Sequence, residues 1–210
     1  MGTKERKERE RKNRCEAIIQ ATKKIILKQG VEEMSLNQVA DLTELNKATL
    51  YLYFSNKDDL IDAIVYEGLV LLEKKFQESA RQSRSGLEQV LVLIKTTFDF
   101  YRQYPVYFYA MNHQERRKPH ERLSTPHAIK GDEIAARIFA CYSESLRRGV
   151  EEGSIRRGID TAQVFILIYA YTYGIMHTIY AKEDIYQDVL HLEPDAIEKS
   201  ALEFMEYYLR

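Results

Sequence analysis

Apolar residues recur every three or four positions along most of the chain, which predicts helices throughout. Only nine Gly and four Pro interrupt this pattern. Gly30 is placed to end the first helix as a C-cap, Pro105 to start a short helix, and Asp160 with Gln163 to form a capping box. The predicted longer helices cover about 12–29, 57–80, 87–104, 105–112, 134–152, 161–181 and 194 onward.

The stretch from Ser35 to Lys57 has a different pattern, with two short helices joined by a tight turn and followed by a longer helix. Ser35 is suited to cap the first short helix and Asn46 the second, because both side chains can accept orphan backbone N–H groups. Small Ala40 lies where two helices would cross closely. The pattern predicts a helix-turn-helix whose second helix can enter a DNA major groove.

Two interpretations of this stretch remain open from its pattern alone. The corner can read DNA, or it can be a helical corner inside an all-helical protein, with its tyrosines packed inward. A helical adaptor that binds protein through the same corner is the alternative function.

The residues themselves carry a family resemblance. VADLTELNKATLYLYFSNKDDL resembles the DNA-binding signature of the tetracycline-repressor (TetR) family, and the match covers about the first third of the chain. The matching residues are Val39, Ala40, Lys47, Thr49, Leu50, Tyr51, Tyr53, Phe54, Lys57, Asp58 and Leu60. The resemblance implies an all-α repressor that binds a palindromic operator as a homodimer and is released by a small-molecule effector. It implies a DNA-binding domain over 1–55 and a larger ligand-binding and dimerisation domain over 56–210.

The turn departs from the family pattern, which usually has Ala-Gly where this chain has Thr43-Glu44 and Gly where it has Ala48. Glycine there relieves a left-handed backbone conformation, which costs another residue about 1 kcal/mol. We therefore expect Glu44 to adopt a positive φ or the turn to be rebuilt.

The predicted DNA-binding residues fall into three groups. Lys47, Tyr53 and Lys57 are expected to contact phosphates, and Thr49 and Tyr51 to lie at or near base edges. The caps Ser35 and Asn46 complete the set. One of the two tyrosines is expected to pack inward.

Composition narrows the class of protein. The net charge is −1, but residues 1–30 hold ten Lys/Arg and four Glu, a net of +6 (ten minus four). This basic start fits either a solvated helix face or a surface for DNA phosphates. Cys15 and Cys141 are isolated, and neither a secretory signal nor an apolar run of about 18 residues is evident, so we expect a cytoplasmic protein without a membrane partner.

The C-terminal two thirds are expected to hold the effector pocket and the dimer interface. The chain is rich in aromatic residues, with 15 Tyr and 8 Phe. The predicted effector-binding residues are Phe98, Tyr101, Tyr104, Phe108, Tyr142, Tyr173 and His177; an aromatic core is the alternative for each. The helix 161–181 is apolar nearly all round, which predicts cover on two sides and a dimer formed with the last helix.

Catalytic and metal chemistry find little support in the sequence. No nucleophile elbow, phosphate-binding glycine loop or paired carboxylates are evident, so we expect no enzyme and no cofactor. His113, His120 and His127 are seven residues apart, but prolines separate them and no Cys or carboxylate is arranged with them at metal-ligand spacing. We therefore predict no metal site.

Overall fold

The computed structural model describes residues 3–79, 83–118, 125–181, 191 and 193–210, and these form helices without any strand. The prediction of an all-α fold is confirmed. The helices are α1 (Thr3–Gln29), α2 (Leu36–Leu42), α3 (Lys47–Tyr51), α4 (Lys57–Ser79), α5 (Gly86–Gln103), α6 (Pro105–Glu115), α7 (Pro126–Glu152), α8 (Thr161–Ala181) and α9 (Pro194–Leu209).

Three local signals for helix ends are confirmed: Gly30, Pro105 and the Asp160 half of the predicted capping box. Gly30 has φ +83° after α1, and Pro105 occupies the first turn of α6. The Asp160 carboxylate accepts from the backbone N–H groups of Ala162 and Gln163, at 2.9 and 3.0 Å. Helix α8 has the predicted limits.

Three helices are longer than predicted. Helix α1 begins at Thr3 and not near residue 12, α6 continues to Glu115, and α7 begins at Pro126 and not near residue 134. The predictions followed apolar positions, whereas the start of α1 has none and is supported by i,i+4 ion pairs such as Arg6–Glu10. Residues 119–124, which lie between α6 and α7 in the chain, are outside the described residues.

The chain divides into two compact units. The first contains Met1–Leu69 and Tyr104–Asp132, and the second contains Val70–Gln103 and Glu133–Arg210. Helices α4 and α7 each begin in the first unit and continue in the second.

In the first unit, α1 packs against α2 and α6, and α2 packs against α3. Its core includes Ile18, Val39, Leu50, Phe54, Leu60, Ile61 and Ile64, all without exposed surface. Burial of these side chains fixes the two short helices, which are too short to be stable alone.

In the second unit, α5 packs against both α8 and α9, and α8 contacts α9. The core includes Val90, Ile94, Phe98, Leu146 and Leu209, all without exposed surface. Gly86 opens α5 in close contact with α7, because a Cβ there would lie 2.2 Å from the backbone nitrogen of Gly149.

Candidate nucleic-acid interface

The first short helix begins with a capping box. The Ser35 hydroxyl accepts from the backbone N–H of Gln38, and the Ser35 backbone N–H donates to the Gln38 side chain at 2.9 Å. The predicted cap is confirmed, and Gln38 completes it. The box satisfies two orphan donors and fixes the entry to α2.

The turn between α2 and α3 has the predicted irregularity. Glu44 has φ +55°, which confirms the expectation of a left-handed residue at this position. Asn46 then caps α3, as predicted, with its side-chain oxygen accepting from the Thr49 backbone N–H at 2.7 Å. The Glu44 conformation and the Asn46 cap therefore fix the turn that leads into α3 and its polar side chains.

Helix α3 has one buried and one exposed side. Leu50 and Phe54 anchor it in the core without exposed surface, whereas Lys47 is exposed and Tyr51 is 45% exposed. Thr49 and Tyr53 are half-buried. The outward tyrosine is thus Tyr51, and Tyr53 presents only part of its ring to solvent.

Leu52, directly after α3, is 76% exposed. Leu52 is absent from the predicted DNA-binding residues, because an apolar residue in a helical pattern indicates the core. The sequence did contain a sign that Leu52 is exposed. Leu52 is two residues from the buried Leu50, and residues two apart on a helix do not share a face.

The start of α4 is held by hydrogen bonds. Asn56 accepts from the Asp59 backbone N–H at 2.8 Å, and Asp59 accepts from the backbone N–H of Ser55 at 3.0 Å. Lys57 Nζ donates to the carbonyl oxygen of Glu32 at 2.9 Å. The Lys57 ammonium is therefore held beside the first turn of α4, where the helix dipole also attracts anions.

A buried charged cluster lies further along α4. The Asp62 carboxylate has no exposed surface and accepts from Arg117, from Gln114 at 2.8 Å and from Thr125 at 2.7 Å. These contacts connect α4 with the end of α6 and the start of α7. A buried carboxylate needs such partners, since an unpaired one would cost several kcal/mol.

Two of the three histidines singled out in the sequence contact carboxylates. His113 lies 3.2 Å from Glu32 and 3.4 Å from Asp58, and His127 lies 2.9 Å from Asp59. Hydrogen bonding to His113 lowers the pKa of Glu32. Among the described residues no group of three metal-ligating side chains occurs, and His120 lies outside them.

A second polar cluster joins α1, α4 and α6 through Lys23, Glu67 and Tyr107. Burial and the neighbouring Glu67 carboxylate raise the pKa of Tyr107 well above its ordinary value. The Tyr107 hydroxyl therefore stays protonated and donates to Glu67 while Lys23 neutralises the carboxylate.

The predicted effector residues do not all fall in one compact unit. Tyr104 and Phe108 belong to the first, whereas Phe98, Tyr101, Tyr142, Tyr173 and His177 belong to the second. Phe98, Tyr101, Phe108 and Tyr142 are buried, Tyr104 and Tyr173 are half-buried, and His177 is exposed.

Three of these residues are linked by ring contacts along α8. Tyr142 contacts Phe165, which is followed at four-residue spacing by Tyr169, Tyr173 and His177, with successive ring centroids 5.6, 6.5, 6.0 and 6.2 Å apart. We refer to these five residues as the aromatic ladder. Phe165 was absent from the predicted set, although its eight-residue spacing from Tyr173 was visible in the sequence.

Comparison with known families decides the class of protein. Residues 18–64 match the model of bacterial regulatory proteins of the tetR family. Residues 87–200, which are 114 of the 210 residues, match the model of the tetracyclin repressor-like C-terminal domain. The chain belongs to the TetR family.

Two curated relatives of this TetR-family chain are regulators. The fatty acid metabolism regulator protein of Bacillus subtilis is 21% identical over 188 residues, which cover 86% of this chain and 90% of that protein. An uncharacterized HTH-type transcriptional regulator of Haemophilus influenzae is 23% identical over 91 residues, covering 43% of this chain and 49% of that protein. The second match thus spans about half of the relative.

Solved structures share the TetR-family fold. FadR of Bacillus subtilis in complex with stearoyl-CoA has a TM-score of 0.73 at 18% identity, covering 92% of this chain and 98% of that one. FadR of Bacillus halodurans has a TM-score of 0.70 at 19% identity, with coverage of 93% and 99%. The chain is a DNA-binding transcription regulator of this family.

Within the part of the chain that the structure describes, one helix is long and apolar enough to cross a membrane by length and composition, over Thr161–Ile179. Interior and interface helices of proteins outside membranes meet the same criteria, so this is weak evidence for a span. Val164, Ile168 and Met176 of that helix are buried within the second unit.

Proposed function

We propose that this regulator is a repressor that binds a palindromic operator as a homodimer and is released by a long-chain acyl-CoA. The observation that carries the DNA-binding part is the exposed side of α3, which is fixed between the Asn46 cap and the buried Leu50 and Phe54. A short helix held in this way presents the same side chains in every encounter with DNA.

We assign individual DNA contacts from the exposure of each side chain. Exposed Lys47 and the Lys57 ammonium are assigned to phosphates, together with the accessible edge of Tyr53. Thr49 and Tyr51 are assigned to base edges, and Leu52 joins them as an apolar contact to a thymine methyl group. Ser35 and Asn46 act mainly through the caps, and their helix ends direct N–H groups toward phosphate.

The second unit supports the homodimer. Ile166, Leu167, Phe204 and Tyr207 are 59%, 51%, 57% and 84% exposed on α8 and α9, which contact each other through Tyr171 and Phe204. Such an apolar surface on adjacent helices fits a second copy of the same pair. Two copies would place two α3 helices about 34 to 36 Å apart on successive major grooves.

The class of effector is proposed from the relatives and from side chains of this chain. One similar protein is described as a fatty acid metabolism regulator and another as a fatty acid degradation regulator, and one of the solved structures holds stearoyl-CoA. The aromatic ladder and buried Phe98 offer the apolar surface that an acyl chain requires. Phe98, Tyr101, Tyr104, Phe108, Tyr142, Tyr173 and His177 remain the proposed effector-binding residues.

We assign DNA reading to residues 1–55 and effector binding and dimerisation to 56–210. The two family matches, over 18–64 and 87–200, support this division of roles. The compact units divide the chain differently, since Tyr104–Asp132 belongs with the first. A cytoplasmic location, where the operator is accessible, completes the proposal.

The first experiment tests DNA recognition. Purified protein is used to select bound sequences from random DNA, and affinity for the selected operator is measured against salt. Lys47→Ala should weaken binding to all sequences and reduce the salt slope by about 0.9 per protomer. Thr49→Ala should relax specificity at one base pair, and Lys130→Ala, at an exposed position in α7, serves as the control. Absence of any selected sequence would favour the protein-binding adaptor.

The second experiment tests the effector class. Stearoyl-CoA is titrated into the operator complex beside stearate and coenzyme A alone. Release by stearoyl-CoA at concentrations where the other two have no effect is expected. A ligand changes operator affinity only through its different affinities for the free and DNA-bound arrangements, so equal binding to both would give no release. No release by any of the three would contradict the acyl-CoA proposal and leave DNA recognition intact.

A further inference from the structure

The first three turns of α1 make no contribution to a core. Every side chain from Lys4 to Arg14 is exposed, and the first fully buried residue of the helix is Ile18. These 11 residues contain seven Lys/Arg and three Glu, a net of +4 (seven minus three). None of them is apolar, so this segment is suited to a charged partner and not to an apolar groove.

Four of the basic residues lie on one face of the helix. Lys4, Lys7, Arg11 and Arg14 are separated by three, four and three residues, and the same spacing continues to buried Ile18, Thr22 and Ile25. Residues three and four apart share a helix face. The buried face of α1 therefore continues toward its N-terminus as a basic stripe, by which we mean these four residues.

The remaining basic residues of the segment lie elsewhere and are partly neutralised. Arg6 pairs with Glu10 at 3.1 Å and Lys12 with Glu16 at 3.8 Å. In contrast, no member of the basic stripe forms an ion pair within the part of the chain that the structure describes. The glutamates thus support the helix on its other faces and leave the basic stripe uncompensated.

The basic stripe ends at Arg14, next to Cys15 and near the start of α4. Cys15 follows Arg14 directly; burial raises the pKa of the Cys15 thiol, and the Asp59 carboxylate adds to that rise, which places Asp59 within electrostatic reach. Asp59 itself accepts from the Ser55 backbone N–H at the start of α4. The Arg14 end of the basic stripe is therefore near the segment that carries Lys57.

We infer that the basic stripe binds the phosphates of DNA flanking the half-site that α3 contacts. The inference rests on the proposed operator binding and adds a second electrostatic contact to it. From Lys4 to Arg14 the helix rises about 15 Å, at 1.5 Å per residue. That length corresponds to about four base pairs at 3.4 Å each. The flanking contact is sequence-independent, since lysine and arginine bind phosphate oxygens without reading base edges.

The chain offers a charge-matched control for this inference. K7Q/R11Q/R14Q removes three charges from the basic stripe, and R6Q/R9Q/K12Q removes three charges from the other faces of the same segment. Glutamine keeps helix propensity close to that of lysine and arginine. Far-UV circular dichroism of both triple variants verifies that the helix persists.

Operator affinity is then measured from 50 to 200 mM salt. The K7Q/R11Q/R14Q variant should lose about 2.7 from the salt slope per protomer, because each phosphate contact contributes about 0.9. The R6Q/R9Q/K12Q variant should keep a slope within about 1 of wild type. Hydroxyl-radical footprints should be shorter by about four base pairs at each end with K7Q/R11Q/R14Q only.

Equal losses in the two triple variants, or an unchanged footprint with K7Q/R11Q/R14Q, would overturn the inference. The wild-type footprint is measured independently of both variants. Absence of wild-type protection on the flanks would therefore overturn the inference even if one variant loses helix. Failure of the proposed function is a separate result, since wild-type protein would then select no operator at all.

Discussion

The Lys23 ammonium donates to both carboxylate oxygens of Glu67, at 2.8 and 2.9 Å. The same nitrogen lies 3.2 Å from the Tyr107 hydroxyl. Lys23 is 8% exposed and the Glu67 side chain is 40% exposed. One buried cation thus holds together three helices of the first unit.

Lys23→Ala should therefore destabilise the protein by about 1 to 3 kcal/mol, because it leaves Glu67 and Tyr107 without their cation. The lower part of that range is favoured by the partial exposure of Glu67, which water can solvate. Urea unfolding measures the change. Lys24→Ala, at an exposed position one residue away, should stay within about 0.5 kcal/mol of wild type. Equal effects at the two positions would contradict the role given to Lys23.

Gly68→Ala should also destabilise the first unit. A Cβ at position 68 would lie 2.8 and 2.9 Å from the ring atoms Cγ and Cδ1 of Tyr107 and 3.0 Å from the Tyr107 Cβ, and the Lys23 and Glu67 contacts hold this side chain in place. Overpacking of this kind costs about 1 to 3 kcal/mol. Gly131→Ala is the matched control, since its Cβ would meet Leu69 at an ordinary 3.7 Å and alanine favours helix by about 1 kcal/mol. Thermal unfolding should shift in opposite directions for the two variants.

Two substitutions at Ser35 can separate its role in helix capping from its proposed role in DNA binding. Ser35→Ala should lose about 1 kcal/mol of stability because the capping box is broken. Ser35→Asp should keep most of that stability, since aspartate is an equally good cap, but its charge would repel a nearby phosphate. Unfolding and operator binding are measured on both. If Ser35→Asp binds the operator as wild type does, Ser35 lies away from the phosphates.

The backbone of Glu44 predicts a gain of stability on substitution. Glycine adopts φ +55° without the penalty that a side chain imposes, so Glu44→Gly should stabilise the protein by up to about 1 kcal/mol. Glu44→Ala removes the charge and keeps the strain, and it should therefore be close to neutral. A gain that is as large with alanine as with glycine would mean that charge, not backbone strain, is relieved.

The raised pKa of buried Tyr142 predicts that the protein loses stability at alkaline pH. Burial raises the pKa of Tyr142 above its ordinary value, and the hydrogen bond with the Thr97 side chain only partly opposes this. The unfolded chain then releases the proton near pH 10 while the folded protein retains it. Stability is therefore complete below about pH 10 and falls by about 1.4 kcal/mol per pH unit above it.

Tyr142→Phe should make the alkaline fall less steep, with Tyr107 responsible for part of what remains because its pKa is also raised. Urea unfolding between pH 9 and 11 provides the comparison. Identical pH dependence in the variant and the wild type would show that Tyr142 ionises as freely as in the unfolded chain.

Local signals in the sequence were sufficient for much of the fold. Periodicity predicted the helices, and single residues such as Gly30, Asn46 and Asp160 located their ends, because capping depends on atoms within four residues. The strained conformation of Glu44 was predictable for the same reason. The start of α1 at Thr3 was not, since i,i+4 ion pairs replace apolar positions there.

Contacts between distant residues were beyond sequence reasoning. Lys23 and Glu67 are 44 residues apart, and Asp62 and Arg117 are 55 apart, so no periodicity relates the partners. The exposed side of Leu52 depends on how α3 ends against the core. Contacts with DNA and effector, and with them the DNA-binding and effector-binding residues, remain predictions.

The close approach of Gly68 and Tyr107 also constrains how the sequence can change over time. A side chain at position 68 requires that the ring at position 107 be replaced or displaced, and the loss of that ring removes one partner of Lys23. Whichever of the two positions is substituted first, the single substitution destabilises the protein. The two positions should therefore covary among relatives. A glycine at 68 should accompany an aromatic residue at 107, and a larger residue at 68 should accompany a smaller one at 107.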